Sequence, residues 1–134
     1  MRRATRGVTV VAAAVLAFAG LPTVAANAAA GEQCTYTEDN WDHTTAYGCF
    51  RADGDHIITI DGFADGHRAV THWETDYGPF GECDNTTGAG SLVDCNYDWA
   101  ESGHVKIKVC VQEGSVHIDC TPWTSWISIS TGKI

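Results

Sequence analysis

Six cysteines constrain the fold of this 134-residue chain more than any other feature of its sequence. All of them follow residue 30: Cys34, Cys49, Cys83, Cys95, Cys110 and Cys120. An even number in a small exported domain predicts a disulfide framework, here of three bridges. The spacing favours neighbours in chain order, which close loops of ten to fifteen residues, each stabilising by about 3 kcal/mol. Zinc is the weaker interpretation, because no two cysteines have the close C-x-x-C spacing.

The first 30 residues carry, in order, the features of a secretory signal peptide. Residues 1–6 contain three arginines and no acid, and residues 8–19 are apolar but too short to span a bilayer. Small residues then occupy the positions that a signal peptidase reads, which predicts cleavage after Ala28, with Ala30 as the alternative. We therefore expect a signal peptide at 1–28 and a single secreted, extracellular β domain at 29–134.

The expected mature domain is strongly acidic. The leader contains three of the eight basic residues and none of the 17 acidic ones, so cleavage changes the net charge from −9 to −12. Such a domain repels phosphate backbones and anionic lipid, so neither nucleic acid nor a membrane is an expected partner. We expect a monomer without a cofactor, whose partner is an extracellular protein or polysaccharide.

Short runs rich in Val, Ile, Thr, Tyr and Trp alternate with turn-forming pairs such as Asp53-Gly54 and Gly78-Pro79. The clearest predicted strand is 104–112, which places four aliphatic residues on one face: Val105, Ile107, Val109 and Val111. Further strands are predicted at 56–60, 67–74, 92–99 and 123–130. No stretch of helical length has a 3.6-residue period. The sequence therefore predicts an all-β fold, either a small antiparallel β-sandwich (Ig-like) or a barrel.

Two of the disulfides can be tested against strand register. If residues 88–90 form a three-residue hairpin loop, Cys83 lies directly opposite Cys95, within disulfide reach. A tight turn at Glu113-Gly114 would instead place Cys110 opposite His117 rather than Cys120. Either the loop is longer, from about residue 113 to 117, or the pairing differs. We favour the longer loop.

Candidate chemistry is sparse, and we expect neither catalytic nor metal-binding residues. The chain lacks the H-E-x-x-H and G-x-S-x-G motifs. Residues 61–66 resemble the start of a calcium loop, but Phe63 stands where an oxygen ligand is needed. The glycosylation pattern Asn85-Thr86-Thr87 is interpreted as a turn. His67 and His72 are five residues apart, so on one strand they face opposite sides.

Trp126 is the residue that alternation singles out. Trp123, Ile127 and Ile129 share one face of the last predicted strand, which we assign to the core. Trp126 then points away with small polar neighbours, where an indole ring can stack on a sugar or anchor a protein. The candidate partner-binding residues are therefore Trp126 and three residues at the predicted hairpin tip: Asp84, Asn85 and Thr86.

Three segments carry a resemblance to known proteins. They are Asp65-Gly66-His67-Arg68-Ala69-Val70, Gly88-Ala89-Gly90 and Asp94-Cys95-Asn96-Tyr97-Asp98. With these segments the chain resembles a group of small secreted actinobacterial proteins. Those proteins share a D-G-H segment before a strand, a C-N-Y or C-N-F segment, and a final cysteine pair before a tryptophan. The resemblance implies an exported, disulfide-bridged β domain and supplies no catalytic residue.

Three functions remain open at this point. The first is a secreted, non-catalytic binding module for a polysaccharide or a protein. A sugar partner would require two or three exposed aromatic residues in a row, whereas a single Trp in an apolar patch would favour a protein. The second is an inhibitor of a foreign hydrolase that presents a rigid loop. The third is a small hydrolase or toxin, which would need a cleft containing a perturbed histidine or carboxylate.

Overall fold

The structure, a computed structural model, describes residues 31–134. The expected signal peptide and both candidate cleavage positions lie outside these residues. The described chain forms nine strands and no helix, so it offers no helix that could cross a membrane. The strands are β1 (Glu32–Glu38), β2 (Thr44–Arg51), β3 (His56–Asp61), β4 (Arg68–Thr75), β5 (Phe80–Asn85), β6 (Leu92–Asn96), β7 (His104–Glu113), β8 (Val116–Cys120) and β9 (Ile127–Ser128).

The strands form two antiparallel sheets that pack face to face. The first sheet has the order β1-β2-β3-β6, and the second has the order β5-β4-β7-β8, with β9 also paired to β7. The chain passes from the first sheet to the second between β3 and β4, returns between β5 and β6, and passes to the second sheet again between β6 and β7. The expected antiparallel β-sandwich is confirmed, and the alternative of a closed barrel is wrong.

The core lies between the two sheets, where alternation along β7 predicted it. Val105, Ile107, Val109 and Val111 are all buried, while the lysines between them point outward. Ile127 and Ile129 are fully buried as expected. Because successive side chains of a strand alternate between faces, the outward positions of β7 and its neighbours form the outer surface of the second sheet.

The segment between β8 and β9 departs from the strand predicted at 123–130, of which only Ile127–Ser128 is a strand. This segment instead follows the edge of β7 through threonine hydroxyls. The backbone amide of Ile107 donates to Thr124 Oγ1 (3.0 Å), and the amide of Val109 donates to Thr121 Oγ1 (3.1 Å). Side-chain oxygens thus replace the backbone acceptors of a regular ladder, so strict alternation does not hold here.

All three disulfides join neighbours in chain order, as expected, and the described chain has no free cysteine. Cys83 is bonded to Cys95 with their Cα atoms 5.9 Å apart, but the predicted hairpin between them is wrong. β5 and β6 belong to different sheets, and residues 86–91 connect those sheets. Both cysteines point into the core, so this bridge joins the two layers of the sandwich.

The bridge between Cys110 and Cys120 forms without the longer loop that we favoured. Glu113 pairs with Val116 across a tight turn, and the register then shifts between Val111 and Gln112. That irregularity brings Cys120 back opposite Cys110, with their Cα atoms 4.1 Å apart. The expected pairing was therefore correct. A turn one residue later than predicted, together with a β-bulge, makes it possible without a longer loop.

Candidate functional site

A row of aromatic and charged side chains crosses the outer face of the second sheet. Phe80 pairs with Glu74 across β5 and β4, and Glu74 pairs with Lys106 across β4 and β7. Lys106 Nζ lies 3.0 Å from Glu74 Oε2, and also 4.8 Å from the ring centroid of Trp123 and 5.0 Å from that of Trp126. We call these five residues the aromatic strip. It spans three interstrand spacings, or about 14 Å.

The aromatic strip is accessible to a partner in the described structure. Phe80 is 78 % exposed and Trp126 is 43 % exposed, while Trp123 is half-buried. The expected direction of Trp126, away from the core, is confirmed. The assignment of Trp123 to the core is wrong, because residues 121–126 do not follow strand alternation and its ring faces Lys106 and Lys108 instead.

The candidate tip residues lie at the opposite end of the same sheet. Asp84 pairs with Val70, four residues along β4 from the Glu74 row, which corresponds to about 14 Å. Asp84 Oδ1 lies 2.9 Å from Arg68 Nε, and Thr86 is exposed. The structure therefore does not bring these residues to Trp126.

Asn85 holds the connection between the two sheets. Its side chain is fully buried, and Nδ2 donates to the carbonyl oxygens of Thr59 (3.1 Å) and Ser91 (2.8 Å). Oδ1 accepts from the backbone amide of Thr87 (3.1 Å). Asn85 is thus neither a contact residue nor an accessible glycosylation site, which corrects its place among the candidates. Its interpretation as part of a turn is confirmed.

A depression of about 310 Å³ lies at this end of the sandwich, between the β3–β4 connection, the β5–β6 connection and the β7–β8 turn. The buried Asp61 lines it, and burial is the main cause that raises the pKa of this carboxyl group. His67 Nδ1 lies 2.9 Å from Glu113 Oε2 at its edge. Within residues 31–134, no serine or threonine hydroxyl is hydrogen-bonded to a histidine ring.

The carboxylates that resembled a calcium loop are used in local turns. Asp61 Oδ1 accepts from the amide of Phe63 (3.3 Å), and Asp65 Oδ1 accepts from the amide of His67 (2.9 Å). Each acceptor lies two residues before its donor, which is the geometry of an Asx turn. Both aspartates therefore make Asx turns.

One histidine pair was missed by sequence reasoning. His72 on β4 and His117 on β8 have ring centroids 5.0 Å apart on the outer face of the second sheet. Burial lowers the pKa of His72, and His117 and Lys108 lower it further, against the opposing effect of Glu82. The turn at residues 114–115 places His117 opposite Gln112, whereas the predicted turn at Glu113-Gly114 placed it opposite Cys110.

Comparison with known proteins finds no family model, no curated protein and no solved structure that matches the chain.

Proposed function

We propose that this chain is a secreted, non-catalytic module that binds a neutral polysaccharide through the aromatic strip. The observation that carries the proposal is the placement of Phe80, Trp123 and Trp126 in one row on one sheet face. Aromatic faces are electron-rich, so they pack against the C–H faces of pyranose rings. The charged pair between them supplies hydrogen-bond partners for sugar hydroxyls.

The chemistry of the strip favours a polysaccharide over a protein. Its centre is polar, since Glu74 and Lys106 separate Phe80 from the two tryptophans. A protein anchor would instead be expected in a continuous apolar patch that excludes water. The two central charges compensate each other at 3.0 Å, which suits an uncharged ligand. The acidity of the whole chain opposes binding of an anionic polymer.

Secretion is part of the proposal and is supported by the leader and the three disulfides. Disulfides of this kind persist in oxidising compartments. Sequencing the N-terminus of protein from the culture medium should give Ala29 as the first residue. A protein that begins at Met1, or that stays in the cytoplasm, would contradict this part of the proposal.

Pull-down on insoluble cellulose, chitin and mannan, with affinity electrophoresis on soluble neutral glucans, tests the ligand class. The wild-type chain should bind at least one of them, and Trp126→Ala and Phe80→Ala should each weaken binding at least tenfold. Trp41→Ala is the matched control, because Trp41 is 80 % exposed. It lies in the β1–β2 turn of the first sheet, outside the aromatic strip, and the neighbouring His43 stacks on Phe63 (5.1 Å). Equal binding by wild type and Trp126→Ala would reject the aromatic strip as the site.

The hydrolase-inhibitor alternative is favoured by one specific observation, the rigid support of residues 86–91. The buried side chain of Asn85 is hydrogen-bonded to Thr87 and Ser91 of this connection. The disulfide between Cys83 and Cys95 links the strands on both sides of it. Such preorganisation reduces the entropy lost on binding. Inhibition assays with proteases and amylases test it, and inhibition by wild type that Thr86→Arg abolishes would favour it over the polysaccharide module.

A further inference from the structure

The pair formed by His72 and His117 lies on the outer face of the second sheet, outside the aromatic strip. Gln112 pairs with His117 across β7 and β8, and His72 Nε2 lies 3.3 Å from Gln112 Nε2. The two histidines therefore approach from both sides of β7. A ring nitrogen of His72 and one of His117 lie within 4.8 Å of each other and of Cys110 Sγ.

We infer that His72 and His117 form a binding site for a divalent transition-metal ion of the zinc type. This inference does not depend on the proposed function, because it rests on different residues and a different ligand.

The geometry of the pair suits an ion held by imidazole nitrogens. Zn–N bonds are about 2.0–2.1 Å long, so two nitrogens on one tetrahedral ion lie about 3.4 Å apart. His117 is exposed and can close the remaining distance by rotating its side chain. His72 is half-buried and held more firmly, so it provides the fixed half of the site.

Glu82 lies beside the fixed ligand at ion-pair distance, without a hydrogen bond to it. Its Oε2 lies 3.7 Å from His72 Nδ1, while His72 Nε2 is on the side of Gln112 and β8. A metal-bound histidine commonly donates its other ring N–H to a carboxylate, which fixes the tautomer and the ring direction. Glu82 is therefore the carboxylate that can take this role. The side-chain amide of Gln112 donates to His72 Nε2 (3.3 Å) and must rotate away for that nitrogen to bind the ion.

The surrounding charges and sulfur atoms limit what the site can be. Lys108 is the nearby cation, but its ammonium group lies 4.9 Å from the Trp123 ring centroid, on the side of the aromatic strip. Cys110 is bonded to Cys120, so its sulfur supplies no thiolate. Two histidines leave coordination positions to water, so the bound ion should exchange with chelators, unlike an ion in a closed structural site.

Titration of the full chain with Zn²⁺ tests the site, using protein made without an affinity tag and with its disulfides intact. We expect about one ion per chain, and His72→Ala and His117→Ala should each weaken binding at least tenfold. Glu82→Gln should weaken it less than either, by about tenfold at most, as expected for an orienting partner. His104→Ala is the control, because His104 also lies on β7 but pairs with Asp76 at 2.8 Å.

NMR of the histidine rings supplies a readout that a purely structural role would not change. Zn²⁺ should shift the ring signals of His72 and His117 and leave those of His104 in place. Unmoved signals, unchanged affinity in both alanine variants, or no binding tighter than on the order of 1 mM would each overturn the inference. Polysaccharide is absent from these measurements, so a failure to bind Zn²⁺ leaves the proposed function standing. A failure to bind polysaccharide likewise leaves the inferred metal site standing.

Discussion

Two groups of tryptophans lie on either side of the second sheet and meet opposite surroundings. Inside, Trp73 and Trp99 are 6 % and 8 % exposed, with ring centroids 4.6 Å apart. Tyr97 stacks on Trp99 at 4.8 Å, and its hydroxyl oxygen accepts from Trp73 Nε1 (3.1 Å). Outside, Trp126 is 43 % exposed and contacts an ammonium group instead of a third ring.

The difference shows what each group contributes. The inner rings touch one another, and the indole N–H of Trp73 is satisfied by Tyr97, so they stabilise the fold. Gly81 belongs to this arrangement, because a Cβ atom there would approach the Trp73 ring to 2.8 Å. The outer rings leave much apolar area in water, where a partner gains from covering it. Substitutions can therefore test the two roles separately.

The largest expected effect is a loss of stability at the inner group. Trp73→Ala removes a buried ring from contact with Tyr97 and Trp99 and should lower the free energy of unfolding by about 3–5 kcal/mol. Urea denaturation followed by far-UV circular dichroism measures it. A loss below about 1 kcal/mol would contradict the view that the inner rings support the fold.

The disulfides allow a second comparison, between a bridge that joins the two sheets through the core and a bridge between neighbouring strands of one sheet. Replacing Cys83 and Cys95 together by alanine should lower the free energy of unfolding by about 3 kcal/mol. The matched control replaces Cys34 and Cys49, whose loop has a similar sequence separation, 15 residues against 12. Chain entropy should therefore affect both variants alike. A clearly greater loss for the first pair would measure the additional effect of the buried link between the sheets.

The sequence predicted the strands whose apolar residues alternate clearly, β3, β4, β6 and β7, but it did not predict β1 or β2. Alternation along β7 located the core, and cysteine spacing identified all three bridges. Sequence-based prediction failed where side chains replace backbone partners or where the exact residues of a turn determine the register. The hydroxyls of Thr121 and Thr124 redirect Trp123, and a turn one residue later than predicted brings His117 to His72. The link between sheets made by Cys83 also depends on long-range packing that local spacing does not encode.

A smaller stability effect is expected at the aromatic strip. Trp126→Ala removes a cation–π contact and a partly exposed ring, and should lower the free energy of unfolding by about 1 kcal/mol. The same variant should lose at least tenfold in polysaccharide affinity. Thermal unfolding and affinity electrophoresis on one preparation measure both. A loss near that of Trp73→Ala would place Trp126 functionally with the inner group and remove it as a binding residue.

The smallest expected effect on stability concerns the buried carboxyl group of Asp61, the last residue of β3. Asp61 is 3 % exposed, and its pKa is raised above the ordinary 3.8, mainly by burial and further by Asp65. The folded state therefore binds more protons than the unfolded state between pH 3.8 and the raised value. Stability should fall as the pH rises through that window and stay lower at neutral pH.

Asp61→Asn removes this charge while its side-chain oxygen can still accept from the amide of Phe63. The variant should be more stable than wild type at pH 7, by about 1 kcal/mol or less. The two proteins should become equal near pH 3. Urea midpoints at both pH values measure the difference, with Asp98→Asn, a change at an exposed aspartate, as the control for net charge. If Asp61→Asn is instead less stable at pH 7, the carboxylate holds the end of the sandwich together. The inner side would then depend on a charge as well as on its packed rings.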